Sequence, residues 1–349
     1  MVNQARARQV RSALSALAVE GLGLADVQEA AIELVSRVVP YDATCWAAVD
    51  PQTLLPASSV TIDLNPSAQQ EALFAEIEYT LGEGDTFAEL ARREVPVGRL
   101  SDLPYGQAAR SRRVNELYPA IGVAHDVRVA FVSGGACWGI AGLMRGPGGP
   151  DFSAAEADFL ATAAPLVGAA LRTAVKSRLP AAGAGSSGPV VIVLGADGDF
   201  RAATPAARDW LEQSQAARPG WIGIALRGLA AAVSRASSAT ARVRMRDASG
   251  AWVVLRAAPL MDLDSPAERV LVTVEPISGE EVTSLMLSVY ALSPREREVC
   301  AEVLAGGTTG QIAERLHLSS YTVQDHLKSI FAKVGVRSRH ELAGRLRAS

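Results

Sequence analysis

Aromatic residues make up only 5% of this 349-residue sequence, and its three cysteines, Cys45, Cys137 and Cys300, are far apart. That pattern offers neither a disulfide framework nor a paired-cysteine zinc motif, so a reduced, intracellular chain is expected. Lysine is almost missing before residue 291, where Lys176 stands alone. A receiver domain that accepts phosphate needs a lysine beside an acidic pocket, and Lys176 lies instead in a long helical stretch. The nearest approach to a Gly-x-x-x-x-Gly-Lys-Ser loop is ALRTAVKS, where Ala170 and Val175 replace both glycines and remove the phosphate-cradling turn. Paired catalytic carboxylates, a nucleophile elbow and a zinc-protease motif are all lacking, so no enzyme is expected. No apolar run reads as long enough to cross a bilayer. The basic opening, MVNQARARQVRSAL, leads into Glu20 and Asp26 and reads as a helix, not a secretion signal.

Hydrophobic residues make up 49% of the chain and charged ones 20%, the balance of a globular protein. The net charge of −3 is unevenly divided. Residues 291–349 hold nine Lys or Arg against six acids, a net +3, which leaves −6 on the other 290 residues. Three of the four histidines, His317, His326 and His340, also lie in this tail. A small basic domain on a larger acidic body points to an anionic partner for the tail.

Small residues bounded by prolines, LPAAGAGSSGP at 179–189, mark a linker. A second boundary falls near Ser278-Gly279, with a linker helix over 279–290. In 1–178, Val27, Ala31, Leu34, Val35 and Val38 give a helical face. ATCWAAV (43–49) and ASSVTI (57–62) read as strands, and 125–144 reads as a hairpin turning at Gly134-Gly135. Ser153 and Glu156 form a capping box that starts a helix to about Arg178. Its stripe of Leu160, Ala164, Val167, Leu171 and Ala174 suits either a dimer seam or packing on its own domain. In 190–278, strands are expected at VVIVL, FRAAT, RVRMRD, AWVVLRA and ERVLVTVEP, with helices near 205–213 and 223–235. Val243 and Met245 alternate with Arg242, Arg244 and Arg246.

In layout, residues 1–178 resemble a GAF domain and residues 190–278 a PAS domain, each an α+β sensory module. Cys45, Cys137 and His125 are the only soft-ligand candidates in the first segment, and a buried cysteine acting as a small hydrophobe is much the commoner case. Trp46 and Trp138, on expected strands, read as core residues first and pocket residues second.

The tail is the most explicit part. SPRE places Ser293 at an N-cap, Pro294 at the first helical position and Glu296 at the third. TTGQ repeats the device with Thr308 and Gln311, and SRHE with Ser338 and Glu341. Ser319 caps one helix more. Four short helices follow, at about 293–305, 308–316, 319–334 and 338–346. Only HLS separates the second from the third, the arrangement of a helix-turn-helix. Ala313 permits close approach, and Leu316, Leu318, Val323 and Leu327 close the core. Gln324, Asp325 and Lys328 are left on the opposite face of the third helix.

The run LSPREREVCAEVLAGGTTGQIAERLHLSSYTVQDHLKSIFAKVGVRSRHEL, within 291–349, resembles the LuxR-type helix-turn-helix domain, an all-α four-helix fold. Thr309 stands where Asn is frequent in the family, and Gln324 where Lys is frequent. The resemblance implies that Gln324, Asp325 and Lys328 face bases, as amide, carboxylate and ammonium suit adenine, cytosine and guanine edges. It implies phosphate contacts for Thr322, His326, Ser329 and Lys333 on the flanks, and for Thr309 at the start of the preceding helix. The expectation is therefore a cytoplasmic transcriptional regulator, a multidomain homodimer on double-stranded promoter DNA. Its N-terminal modules would sense a small-molecule or other intracellular signal, or mediate dimerisation, or both, with no cofactor, metal or membrane expected. A cofactor-binding redox or light sensor with DNA-binding output is the alternative. A sigma-factor-like promoter reader is a third, disfavoured by the scarcity of lysine and aromatics in 1–290.

Overall fold

The computed structural model describes residues 2–80, 83–177, 188–195, 197–217, 220–235, 240–261 and 268–347. The linker read at 179–189 falls almost wholly outside them.

Two antiparallel five-stranded sheets and a C-terminal helical unit make up the fold. Helices α1 (Gln4–Ala16) and α2 (Leu24–Ser36) precede β1 (Ala43–Val49) and β2 (Pro56–Ile62). Then come α3 (Ala68–Tyr79), short helices α4 (Phe87–Leu90), α5 (Tyr105–Ala108) and α6 (Tyr118–Ala120), and strand β3 (Val97–Arg99). The hairpin β4 (His125–Ser133) and β5 (Ala136–Arg145) and the long α7 (Ala154–Ser177) complete the first unit. Its sheet runs β2-β1-β5-β4-β3. The hairpin is where the sequence puts it, because Gly134 and Gly135 both take positive φ, +63° and +74°, the conformation a two-residue turn requires.

Leu160, Ala164, Val167, Leu171 and Ala174 of α7 are all buried in one core with Ala7, Val10 and Leu14 of α1 and Trp46, Val127, Val129 and Phe131 of the sheet. The stripe therefore packs on its own domain. By length and composition α7 is apolar enough to cross a bilayer, which corrects the expectation that no such run exists. In this fold its apolar face serves the core. Trp46 stacks on Phe131 with ring centroids 4.8 Å apart, a core contact.

The alternation along β4 does not separate core from solvent. Arg128 and Ala130, on the face opposite Val127 and Val129, are also buried, under α3, α4 and the turns after them. Helices α3 and α4 and a π-helical turn at Arg113–Leu117 cover this second face.

The second unit has strands β6 (Val190–Gly195), β7 (Phe200–Ala203), β8 (Ala241–Arg246), β9 (Trp252–Leu260) and β10 (Arg269–Pro276), in the order β7-β6-β10-β9-β8. Helices α8 (Pro205–Ala217) and α9 (Trp221–Arg235) lie between β7 and β8. Val243 and Met245 enter the core with Leu226 and Leu229 of α9. Arg244 points the other way and is buried too, against Asp50 of the first unit.

Helix α10 (Gly279–Val289), capped by Ser278, has two working faces. Leu285 and Val289 join the core of the first unit, while Val282 and Met286 join that of the C-terminal unit. A segment that reads as a connector is thus part of the helical domain it introduces.

Candidate nucleic-acid interface

Four helices follow: α11 (Pro294–Leu304), α12 (Thr309–Arg315), α13 (Ser320–Val334) and α14 (Arg339–Arg347). Each starts at the cap the sequence announces. Ser293 Oγ accepts the Glu296 N–H at 3.2 Å, and the Glu296 carboxylate accepts the Ser293 N–H at 2.6 Å. Thr308 and Gln311 repeat the exchange at 3.3 and 2.9 Å. Ser319 Oγ accepts from the Thr322 N–H at 3.0 Å. At α14 only half of the expected box forms. Ser338 Oγ accepts the Glu341 N–H, but the Glu341 carboxylate reaches one residue further back, to the Arg337 N–H at 2.9 Å.

The turn between α12 and α13 is sharp because His317 adopts left-handed backbone, φ +53°, and the Leu318 N–H closes onto Ala313 O at 2.8 Å. Ile312, Ala313, Val323, Leu327, Ile330 and Val334 then pack together with Val299 and Cys300 of α11. At its far end α13 stops at Gly335, also left-handed, whose N–H caps Phe331 O at 2.9 Å.

With one side of α13 buried, the other is fixed. Gln324, Asp325 and Lys328 are exposed on it. Lys328 Nζ lies 3.4 Å from Asp325 Oδ1, a loose pair open to water on both sides. Tyr321 heads the same row, one turn before Gln324 and Asp325, and is 73% exposed. Tyr321 is not among the residues that the sequence alone singles out. Its spacing of three, four and seven to the other three is the available signal. Thr322 and His326 are half-buried at the margin of the row, and the Thr322 hydroxyl shares a hydrogen bond with Ser319 Oγ at 2.8 Å.

The remaining residues have internal partners as well. Ser329 Oγ donates to Glu296 Oε1 at 2.6 Å, and Lys333 Nζ to Glu296 Oε2 at 2.6 Å. Burial would raise the Glu296 carboxyl, but the bonds from Lys333, Ser329 and the Ser293 N–H outweigh it and hold the group down at about 2. Thr309 Oγ1 accepts from Arg339 Nη2 at 2.7 Å, which leaves its own proton to donate. Much of the basic surplus is engaged inside the domain. Arg295 donates to Leu316 O, Arg339 to Gly307 O and Arg297 to Leu292 O, while Arg315 pairs with Glu302 at 2.5 Å.

The soft-ligand candidates are not gathered. Burial pushes the Cys45 and Cys137 thiols up to about 12, and His125 Nδ1 lies 3.5 Å from Asp151. Among the described residues no group of three or more His, Cys, Asp and Glu side chains is placed to hold a metal ion.

Residues 290–345 match the family model described as bacterial regulatory proteins, luxR family. A probable HTH-type transcriptional regulator, GfsR of Streptomyces halstedii, is 41% identical over 51 residues, which cover 15% of this chain and 21% of that protein. The chain thus spans about a fifth of the curated relative it matches. Similar solved structures include the Vibrio cholerae VqmA dimer without target DNA, at 14% identity and TM-score 0.23, covering 46% of this chain and 81% of that one. A phage VqmA–DPO complex has 16% identity and TM-score 0.27, with the same coverage. The caps, the tight turn and the packed core of α11–α14 agree with the family match in extent and order, and residues 290–345 are a LuxR-type helix-turn-helix domain.

Proposed function

We propose that this protein is a sequence-specific transcription regulator. It works in the cytoplasm as a homodimer on double-stranded promoter DNA, and its GAF-like (1–178) and PAS-like (190–278) modules sense a small-molecule signal. The observation that carries the reading is the fixed outward row on α13: with Val323, Leu327 and Ile330 buried, Gln324, Asp325 and Lys328 have nowhere to go but out. An α-helix of this width fits the major groove, where those three side chains match base-edge donors and acceptors. Thr309, Thr322, His326, Ser329 and Lys333 flank the row and take phosphates. Ser329 and Lys333 do so while also holding Glu296, and the partly exposed Lys333 ammonium has protons to spare for a second acceptor. One such domain neutralises few phosphates, and a two-fold pair on a two-fold site corrects that weakness.

The sensing role is supported by layout and by a cavity of about 360 Å³ where the units meet. Asp50 and Trp138 of the first unit, Arg244 and Trp252 of the second, and Leu285 of α10 all line it. A signal that alters this junction reaches the helix shared with the DNA-reading core.

The test is binding of the full chain to promoter fragments over a range of salt concentrations, beside a variant with Gln324, Asp325 and Lys328 all changed to Ala. A logarithmic fall of affinity with salt, and sequence preference only in the unaltered chain, are expected. Equal binding of every sequence by both proteins overturns the reading.

A further inference from the structure

A second cavity, about 90 Å³, lies on the face of the first sheet away from α7, and its wall is almost wholly apolar, with Phe74, Leu117, Ile140 and Met144 among its residues. Two charged side chains break that lining with unmet hydrogen-bonding groups. Arg113 is 3% exposed; its Nη1 donates to Asp85 O at 3.3 Å, whereas Nε and Nη2 have no hydrogen-bond partner. Its nearest carboxylate contact is Glu78 Oε2, 3.8 Å from Nη2 and already bonded to Arg128 at 2.5 Å. Asp126 accepts the Tyr118 hydroxyl on Oδ2 and leaves Oδ1 without a partner. The field of Arg113 reaches the Asp126 carboxyl. One unmet edge therefore donates and the other accepts, and buried groups of that kind normally find a partner.

Charge narrows what the partner can be. Arg113 and Arg128 are balanced by Glu78 and Asp126, and the Asp85 carboxylate is taken by Arg93 at 2.7 Å. The cluster is already neutral, so a charged ligand would bury an uncompensated charge. Size narrows it further: a dry cavity of about 150 Å³ holds benzene, so one of about 90 Å³ takes roughly four heavy atoms.

We propose that the cavity binds a small, uncharged amide of about four heavy atoms with an N–H on the carbonyl's side, its carbonyl accepting from the Nε/Nη2 edge of Arg113 and that N–H donating to Asp126 Oδ1. The inference deepens the small-molecule-sensing part of the proposed function and rests on it. The second unit takes part directly. Ile224 of α9 completes the wall, and one turn on Arg227 Nη1 donates to Glu71 Oε2 at 2.6 Å, with Glu71 also in the lining. Filling the cavity therefore presses on the helix that joins the two sheets.

Calorimetric titration of the full chain with acetamide tests this, beside acetone, which has the same shape but lacks the donor, and acetate, which is charged. Acetamide is expected to bind tighter than either by about tenfold or more, the effect of one unmet buried hydrogen bond. Arg113→Met is expected to abolish the preference. Should that variant fail to fold, the three-ligand comparison on the unaltered chain decides alone. Equal binding of all three, tightest binding of acetate, or no binding at all overturns the proposal. DNA binding in the salt titration is independent of this outcome, so loss of the amide site leaves the regulator reading standing.

Discussion

Arg244 and Asp50 meet across the boundary between the two sheets: Nη2 lies 2.5 Å from Oδ1 and Nε 2.8 Å from Oδ2, a two-pronged pair closed to water. The Arg244 N–H adds a third bond to Oδ2 at 3.0 Å. On its far side Arg244 Nη1 donates to Glu281 O at 3.4 Å, and Glu281 Oε1 accepts from Arg242 and Arg256 at 2.6 and 2.9 Å. First sheet, second sheet and α10 are joined by one ionic chain. Removing one member of a buried pair strands the other, at a cost of roughly 3–5 kcal/mol. Arg244→Met is therefore expected to lower the urea midpoint sharply. Asp50→Leu combined with Arg244→Met is expected to recover much of the loss, because neither charge is then left buried. If the double variant is as unstable as the single, a stranded Asp50 charge is not what destabilises Arg244→Met.

Glu296 sets an acid limit on the C-terminal domain. Its carboxyl is held at about 2 against an ordinary 4.5. A lowered carboxyl stabilises the fold fully above its unfolded value, and that stability drains away as pH falls from about 4.5 toward 2. By linkage the contribution at neutral pH is on the order of 3 kcal/mol. Glu296→Gln is thus expected to be clearly less stable than the unaltered chain at pH 7 and to converge with it near pH 2. A gap that stays constant across that range would show that charge is not the cause.

The same contact complicates Lys333. Lys333→Ala is expected to weaken DNA binding on all sequences alike, as loss of a phosphate contact does. It is also expected to lower stability, since Nζ donates to Glu296 at 2.6 Å. Melting curves taken beside the binding curves separate the two. Unchanged stability would mean that the bond adds nothing to the fold.

What the sequence made legible was local. Ser293 and Glu296 are three residues apart, and so are Thr308 and Gln311, so the backbone partners of each cap are fixed by helix geometry alone. The β4–β5 hairpin was equally plain, because Gly134-Gly135 supplies the only conformation the turn accepts. Long-range work by charged residues was not legible. Arg128 and Arg244 alternate with apolar neighbours as solvent-facing residues do, and partners distant in sequence, Glu78 for Arg128 and Asp50 and Glu281 for Arg244, make burial tolerable. Glu296 was visible as a cap, but its bonds to Ser329 and Lys333 span 33 and 37 residues and have no local signature. The 64–124 segment was opaque because α3 carries no one-sided apolar stripe and the short turns after it sustain no period.

On the reading helix, Gln324→Ala and Lys328→Ala are expected to relax sequence preference, each by about 1–3 kcal/mol of discrimination at one base pair. Neither should change stability much, because both side chains are exposed and the Lys328–Asp325 pair is loose. Tyr321→Ala belongs to the same set and is expected to reduce affinity without unfolding. Selection of binding sites from random DNA by each variant gives the measurement. Uniform loss on all sequences for Gln324→Ala and Lys328→Ala would move these residues from bases to backbone.

Helix α10 makes a prediction about where the DNA-reading unit begins. Val282 and Met286 lie in its core beside Tyr290 and Leu292, and Thr283 Oγ1 donates to Leu346 O at 3.2 Å, tying α10 to α14. A fragment starting at residue 291 leaves their partners facing water. Burial of Val282 and Met286 side chains is worth about 1.5–3 kcal/mol each, a large share of what a domain of under 60 residues can hold in reserve. Fragment 278–349 is therefore expected to melt cooperatively and fragment 291–349 to melt well below it or not at all. The opposite face gives a matching test in the full chain. Leu285→Asp places a charge among the α7 residues that pack on α10, so it is expected to release the first unit while leaving Val282 and Met286 in place. Protease cleavage near residue 278 should then quicken with the melting of α11–α14 unchanged. If both faces fail together, α10 is one undivided core element and not the joint between two.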